Sequence, residues 1–204
     1  MEKKIEEARA EFNGILEFIV RAALGLQIHE VEEDIYRRLL RLGRILLELF
    51  VLAVGTVKTG EALIRQDGTV FRFMRESGRS YLSIFGEITI VRAYYAKEGE
   101  KGFFPLDARL NLPRRKYSYA LQDRMTHRAV KESYEATAAS LKKDFSLELA
   151  HRPIQEVTRD CTEVVEEFMD SLPPPPVQLE GPILVHTVDC KGIRMRPDER
   201  NSKQ

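Results

Sequence analysis

The sequence predicts an α+β fold in which helices flank a small antiparallel sheet. Apolar residues recur every three or four positions over residues 1–26 and 30–54, and again after Ser118, which is the spacing of amphipathic helices. Residues 69–96 instead alternate and are rich in β-branched and aromatic side chains, as strands are. Near the C-terminus, an apolar run that ends at Asp189 and a basic run after it predict a β-hairpin.

The first region, residues 1–66, is predicted to be a helical hairpin. Each of its two helices has an apolar stripe, and neither stripe can be buried unless the helices pair with each other or with a second chain. Acidic residues dominate the first 34 positions. The sequence leaves two interpretations open, a plain hairpin and an arm through which the chain forms a homo-oligomer.

The second region, residues 67–113, is predicted to be the small antiparallel sheet. We expect strands at 69–76, 81–85 and 88–95, with a turn at residues 86 and 87. Residues 96–102 are polar and contain glycine, so a loop is predicted there.

The third region, residues 114–172, is predicted to be helical and to contain a helix-turn-helix. Ser118 can cap a helix that runs to Ala129, and Ser133 can open another that ends near Phe145. A long helix is expected to start near residues 152 and 153. Four consecutive prolines predict a stiff spacer over residues 173–180, which separates the last region, 181–204.

Basic residues cluster in this helical region, which suggests a DNA partner. Between positions 109 and 131 seven basic residues face a single acid, in a chain whose formal net charge is zero. Arginine and lysine neutralise phosphates, and arginine and glutamine can also read base edges. The candidate DNA-binding residues are Arg114, Arg115, Lys116, Arg124, Arg128, Arg152, Gln155 and Arg159. A solvated helical face is the alternative interpretation of the same pattern.

Several function classes are disfavoured by the sequence. The two cysteines are far apart, so we expect neither a disulfide framework nor a zinc site, and a reducing, cytoplasmic setting. The N-terminus lacks the pattern of a signal peptide, and the most apolar run, 45–55, is too short to cross a membrane. The four histidines are scattered, and no nucleophile motif or phosphate-binding glycine loop is found.

Asp189 is the candidate catalytic and metal-binding residue. It stands at the end of an apolar strand, where RNase H-like nucleases and transposases place a carboxylate that holds Mg²⁺. Such a site needs further acids from other elements. Only Asp198 and Glu199 follow, in a polar tail that cannot provide that geometry. The pattern alone therefore leaves a purely structural role for Asp189 open.

Three segments resemble one known family. These are FGEITIVRAYYAKEGEKGFFPLDARLNLP, the helices that follow it, and LPPPP with ILVHTVDCKGIRM. Together they are similar to the N-terminal part of bacterial insertion-sequence DDE transposases of the ISKra type, over about residues 67–195. FPLDARL and the stretch from Asp189 to Met195 are the most specific motifs. Cys190 departs from the family pattern, which has glycine there, and the cysteine pairs of some members are missing from the loop before FFP.

The resemblance implies that residues 181–204 begin an RNase H-like catalytic domain, with Asp189 as its first Mg²⁺ ligand. It implies that the helix-turn-helix holds transposon ends, which places the protein at the nucleoid. The second and third catalytic acids are not among the 204 residues, so we expect the chain to be truncated. On its own it should not catalyse DNA recombination. Two alternatives stay open, a non-enzymatic DNA-binding regulator of transposition and a helical interaction module without nucleic acid.

Overall fold

The computed structural model describes residues 1–163 and 165–173. It confirms the α+β class: helices surround one small four-stranded antiparallel sheet. Residues 1–163 form one compact unit, and a short helix, α7 (Val165–Ser171), belongs to a second one. Asp189, the proline spacer beyond Pro173 and the predicted C-terminal hairpin lie outside the described residues.

The N-terminal helical hairpin is present. Helices α1 (Glu2–Ala22) and α2 (Ile28–Val54) run antiparallel. Two contacts show this: Lys4, near the start of α1, pairs with Glu48, near the end of α2, and the guanidinium of Arg38 lies over the ring of Phe18, near the end of α1. The carboxylate of Glu30 accepts a hydrogen bond from the backbone N–H of Gln27 at 2.9 Å and so fixes the start of α2.

The sheet consists of β1 (Ala62–Ile64), β2 (Val70–Ser83), β3 (Gly86–Lys97) and β4 (Glu100–Phe103), in that order and all antiparallel. Two expectations were wrong in this region. The two strands predicted at 69–76 and 81–85 are one strand, since Gly78 pairs with Val91 of β3 and the ladder continues through it. The predicted loop 96–102 is the end of β3, a turn and β4.

The turn of the long β2–β3 hairpin also differs from the prediction. Ile84 and Phe85 occupy it, and Gly86 pairs with Ser83 as the first residue of β3. The Ser83 hydroxyl holds this turn: it accepts from the N–H of Phe85 at 3.1 Å and donates to the carbonyl of Gly86 at 2.9 Å. Gly86 has φ 117°, a value that residues with a side chain rarely adopt.

A short helix that the sequence did not predict, α3 (Pro105–Arg109), joins the sheet to α2. Its Leu106 is fully buried with Ile88 and Ile90 of β3. Leu47, Val51 and Val54 of α2 pack on the same cluster, so this core connects the hairpin with the sheet.

The helical region folds as a three-helix unit of α4 (Tyr119–Ala129), α5 (Tyr134–Phe145) and α6 (His151–Thr162). Both predicted caps are confirmed: the Ser118 hydroxyl accepts from Leu121 N–H at 3.0 Å, and the Ser133 hydroxyl from Ala136 N–H at 3.2 Å. The predicted long last helix is shorter than expected, since α6 ends at Thr162. The core of the unit is formed by Leu82, Tyr117, Leu121, Met125, Leu141, Leu147, Ile154 and Val157.

The cap of α5 gives a first testable prediction. Replacing Ser133 by alanine removes the acceptor for one N–H at the start of α5, and we expect the free energy of unfolding to fall by about 1 kcal/mol. Ser140, in the middle of α5, provides the matched control, and Ser140→Ala should leave stability nearly unchanged. Urea denaturation measures both variants. Equal stability of the two would show that water replaces the hydroxyl of Ser133.

Candidate nucleic-acid interface

Helix α6 presents a polar face with the spacing that groove-reading helices use. Ile154 and Val157 are fully buried in the three-helix core. Arg152, Gln155 and Arg159 follow one another at intervals of three and four, so they share the opposite face. Arg152 and Arg159 are exposed, whereas Gln155 is half-buried.

The connection between α5 and α6 is short and well fixed. Ser146 ends α5 in the left-handed conformation with φ 54°, and its N–H donates to the carbonyl of Lys142 at 2.9 Å. Leu147 then turns into the core, and α6 begins at His151. A helix, a short turn and a second helix with an exposed polar face agree with the helix-turn-helix that the sequence predicts.

The basic segment 113–118, which precedes α4, is held against the sheet. The Arg79 guanidinium on β2 donates to three successive carbonyls, those of Pro113, Arg114 and Arg115, with the last at 2.8 Å. Farther along the segment, Leu82 N–H donates to the Lys116 carbonyl at 2.7 Å and Ser118 N–H donates to the Leu82 carbonyl at 2.8 Å. The backbone of this segment therefore has a defined path.

Arg115 connects that segment to α6. Its guanidinium donates to Asp160 at 2.9 Å through Nη2 and to Glu156 at 2.8 Å through Nη1. The contact holds the pKa of the Asp160 carboxyl below its usual range and raises the pKa of Arg115, so both groups are charged at neutral pH. Arg152 donates to the other oxygen of Glu156 at 3.0 Å.

The structure thus brings together four arginines that are distant in sequence. Arg114 and Arg159 lie near enough to Asp160 to lower its pKa further, beside the direct contact of Arg115. We call Arg114, Arg115, Arg152 and Arg159 the arginine cluster. Arg115 and Arg152 contact the carboxylates of Glu156 and Asp160, and Arg114 and Arg159 act on Asp160 electrostatically. The four arginines exceed these two carboxylates by two positive charges.

The other predicted basic residues, Arg124, Arg128 and Lys116, have different contacts. Arg124 donates to the carbonyl of Ala120 at 2.9 Å and stands over the Phe145 ring at 5.6 Å. Arg128 forms an ion pair with Asp144 near the end of α5. Lys116 lies beside the Tyr117 ring. The structure therefore does not place Arg124 and Arg128 with the polar face of α6, and it ties both to α5.

Sequence reasoning missed the residues that support the basic segment. Arg92 on β3 donates from Nη1 to both oxygens of Asp107, at 2.9 and 2.6 Å, and its guanidinium lies 3.8 Å from the centre of the Phe104 ring. Arg79 approaches the same carboxylate at 3.6 Å. Phe104 and Asp107 belong to the FPLDARL motif. Two residues of this motif therefore hold Arg79 and Arg92, which the motif alone does not reveal.

The metal site predicted at Asp189 cannot be located among the described residues. Within residues 1–163 and 165–173, no three His, Cys, Asp or Glu side chains come together in a way that could hold a metal ion. Asp189 lies outside these ranges. None of the helices in the same ranges combines the length and the apolar character that crossing a bilayer requires.

Comparison with known proteins identifies the family. Residues 21–167, which include α2, the sheet and the three-helix unit, match the family described as "Uncharacterised protein family (UPF0236)". The chain belongs to the UPF0236 family. A similar UPF0236 relative from Streptococcus gallolyticus, described as "UPF0236 protein in vanSb 3'region", is 30% identical over 113 residues. The match covers 55% of this chain but only 24% of that relative, so the chain spans about a quarter of its length. No solved structure matches this UPF0236 chain.

Proposed function

We propose that this chain is the DNA-binding N-terminal part of an insertion-sequence transposase, and that α6 and the arginine cluster hold transposon ends. One observation carries the DNA contact: a rigidly held basic segment and the polar face of α6 converge on Glu156 and Asp160. The convergence supports binding because the excess positive charge stands beside side chains able to contact bases.

The dimensions and chemistry of α6 fit a DNA groove. Its twelve residues are about 18 Å long, and the major groove admits one α-helix. Arg152 and Gln155, in its first half, are of the types that form paired hydrogen bonds with guanine and adenine. Arg114 and Arg159 form no ion pair within the described residues and are exposed, so they are suited to phosphates.

The transposase part of the proposal rests on the resemblance of the FPLDARL motif and of the segment around Asp189. In the full-length protein, Asp189 would be the first carboxylate that holds Mg²⁺ for strand cleavage and joining. Because Asp189 lies outside the described residues, the resemblance alone supports this chemistry. The alternative function is a non-enzymatic regulator that binds transposon ends without cleaving them. It would use the same DNA contacts, and in either case the protein would be associated with the nucleoid.

Binding is tested with labelled duplexes taken from the two ends of the element that encodes the chain. Fluorescence anisotropy at several salt concentrations should show tighter binding to these duplexes than to shuffled ones of equal composition. The logarithm of the affinity should fall steeply with the logarithm of salt, as expected when arginines displace counterions from phosphates. Lack of binding at low salt, or affinity that does not depend on salt, would contradict the proposal.

Arg159→Ala is the variant that tests the arginine cluster with least structural disturbance. Arg159 forms no ion pair among the described residues, so stability should be unchanged, while affinity for end DNA should fall about tenfold. Arg21→Ala, which removes an exposed arginine from α1, is the matched control and should keep wild-type affinity. Equal affinities of the two variants would exclude Arg159 from the interface.

A further inference from the structure

Every nitrogen of the Arg115 guanidinium is engaged within the protein. Its Nε and Nη2 donate to the two oxygens of Asp160, the Nη2 bond at 2.9 Å, and its Nη1 donates to Glu156 at 2.8 Å. The carbonyl of Arg115 accepts a hydrogen bond from Arg79 of β2 at 2.8 Å. This geometry suits a residue that holds α6 in place better than one that binds a phosphate or a base.

Glu156 passes this contact on to the exposed face of α6. One carboxylate oxygen, Oε2, accepts from Nη1 of Arg115 at 2.8 Å, and the other, Oε1, accepts from Nε of Arg152 at 3.0 Å. Arg152, Glu156 and Asp160 are four residues apart, so they lie above one another on the helix. The side chain of Glu156 is 35% exposed and that of Arg152 is 82% exposed. A partly buried carboxylate therefore holds a guanidinium that reaches into solvent.

Arg152 keeps free the edge of its guanidinium that is able to recognise guanine. Its Nε pairs with Glu156, whereas Nη1 and Nη2 have no partner among residues 1–163 and 165–173. Guanine presents two acceptors, N7 and O6, in the major groove, and two N–H groups of one arginine pair with them. An arginine that is already held through Nε loses less rotational freedom when it forms this pair.

We propose that Arg152 reads one guanine of the transposon end from the major groove, and that Glu156 and Arg115 are its positioning residues. This inference rests on the proposed DNA binding. The strand β2 fixes the backbone of Arg115 through Arg79, and Arg115 fixes Glu156. Recognition of one G·C base pair then depends on a carboxylate that makes no favourable contact with DNA itself.

The guanine is located with the labelled end duplexes and the full chain. Each guanine is replaced in turn by 7-deazaguanine, which still pairs with cytosine but lacks the N7 acceptor. At the guanine that Arg152 reads, this replacement should weaken wild-type binding about fivefold. Arg152→Ala should bind the normal and the modified duplex equally. Arg159→Ala is the matched control, and it should keep the fivefold penalty although its overall affinity is lower.

Glu156→Gln separates a positioning role from a structural one. An amide has one acceptor oxygen, so it cannot hold Arg115 and Arg152 together, and the penalty for 7-deazaguanine should fall below about twofold. Affinity for shuffled duplexes should stay equal or rise, because one negative charge near the phosphates is removed. A loss of structure would instead weaken binding to every duplex. Glu148→Gln, which removes an exposed carboxylate between α5 and α6, is the matched control and should keep the full penalty.

The possible failures are distinguishable. If the end duplexes are not bound at low salt, the proposed function falls and this inference falls with it. If they are bound but Arg152→Ala relieves the penalty at none of the guanines, DNA binding stands and the assignment of Arg152 is overturned. If Glu156→Gln keeps the full penalty, Glu156 and Arg115 do not position Arg152.

Discussion

Replacing Asp107 by alanine is expected to lower the free energy of unfolding by about 3–5 kcal/mol. The side chain of Arg92 is only 9% exposed, and among the described residues Asp107 supplies the carboxylate that compensates its charge. Without Asp107 the guanidinium of Arg92 would remain buried next to Phe104, and no other carboxylate among the described residues would compensate its charge. Breaking one partner of a buried ion pair is destabilising for this reason, even where the intact pair adds little net stability.

Urea denaturation of the variant, compared with Asp123→Ala, measures this effect. Asp123 is an exposed carboxylate on α4 with no ion pair among the described residues, so its removal should change stability by less than about 0.5 kcal/mol. The double variant Arg92→Met with Asp107→Ala should recover part of the loss, because no buried charge remains at this position. A loss below about 1 kcal/mol for Asp107→Ala would mean that water reaches Arg92.

Asp107 also connects the fold with the proposed interface. Arg79 shares its carboxylate and directs its other nitrogen toward the carbonyls of residues 113–115. The backbone path of the basic segment therefore depends on a motif in α3 that contributes no residue to the arginine cluster.

The starts of α4 and α5 could be predicted because they depend on neighbouring residues. Ser118 and Ser133 cap their helices within three positions, and such local signals are legible in one sequence. The strands were less predictable, since Gly78 suggests a break until its pairing with Val91 is known. The five-residue helix α3 is too short to show periodicity and is fixed instead by the burial of Leu106.

In the candidate site, too, local features could be predicted and long-range contacts could not. Residue types and approximate positions of the basic residues were predicted, but their partners were not. Arg115 meets Glu156 and Asp160, which are 41 and 45 positions away, so the sequence could not distinguish it from its exposed neighbour Arg114. Arg124 and Arg128 share a helix face as expected, yet that face is directed at α5, where Asp144 binds Arg128.

The second prediction with a large expected effect concerns the packing of α6 against the core of the three-helix unit. Ile154 is fully buried in the core of the three-helix unit, and Ile154→Ala should lower the free energy of unfolding by about 2–5 kcal/mol, from lost burial and from the cavity left behind. Ile154→Val, which removes one methylene, should lower it by only about 0.5–1.5 kcal/mol.

Val130→Ala is the control for this prediction, because Val130 is 80% exposed and its truncation should have little effect. Affinity for end DNA, corrected for the folded fraction, provides the second measurement. If Ile154 and Val157 hold α6 at the angle that presents Arg152 and Arg159, Ile154→Ala should weaken DNA binding even where the chain remains folded, while Ile154→Val should not. Weakened stability with unchanged affinity would instead show that the contact of Arg115 with Asp160 alone is enough to position the helix.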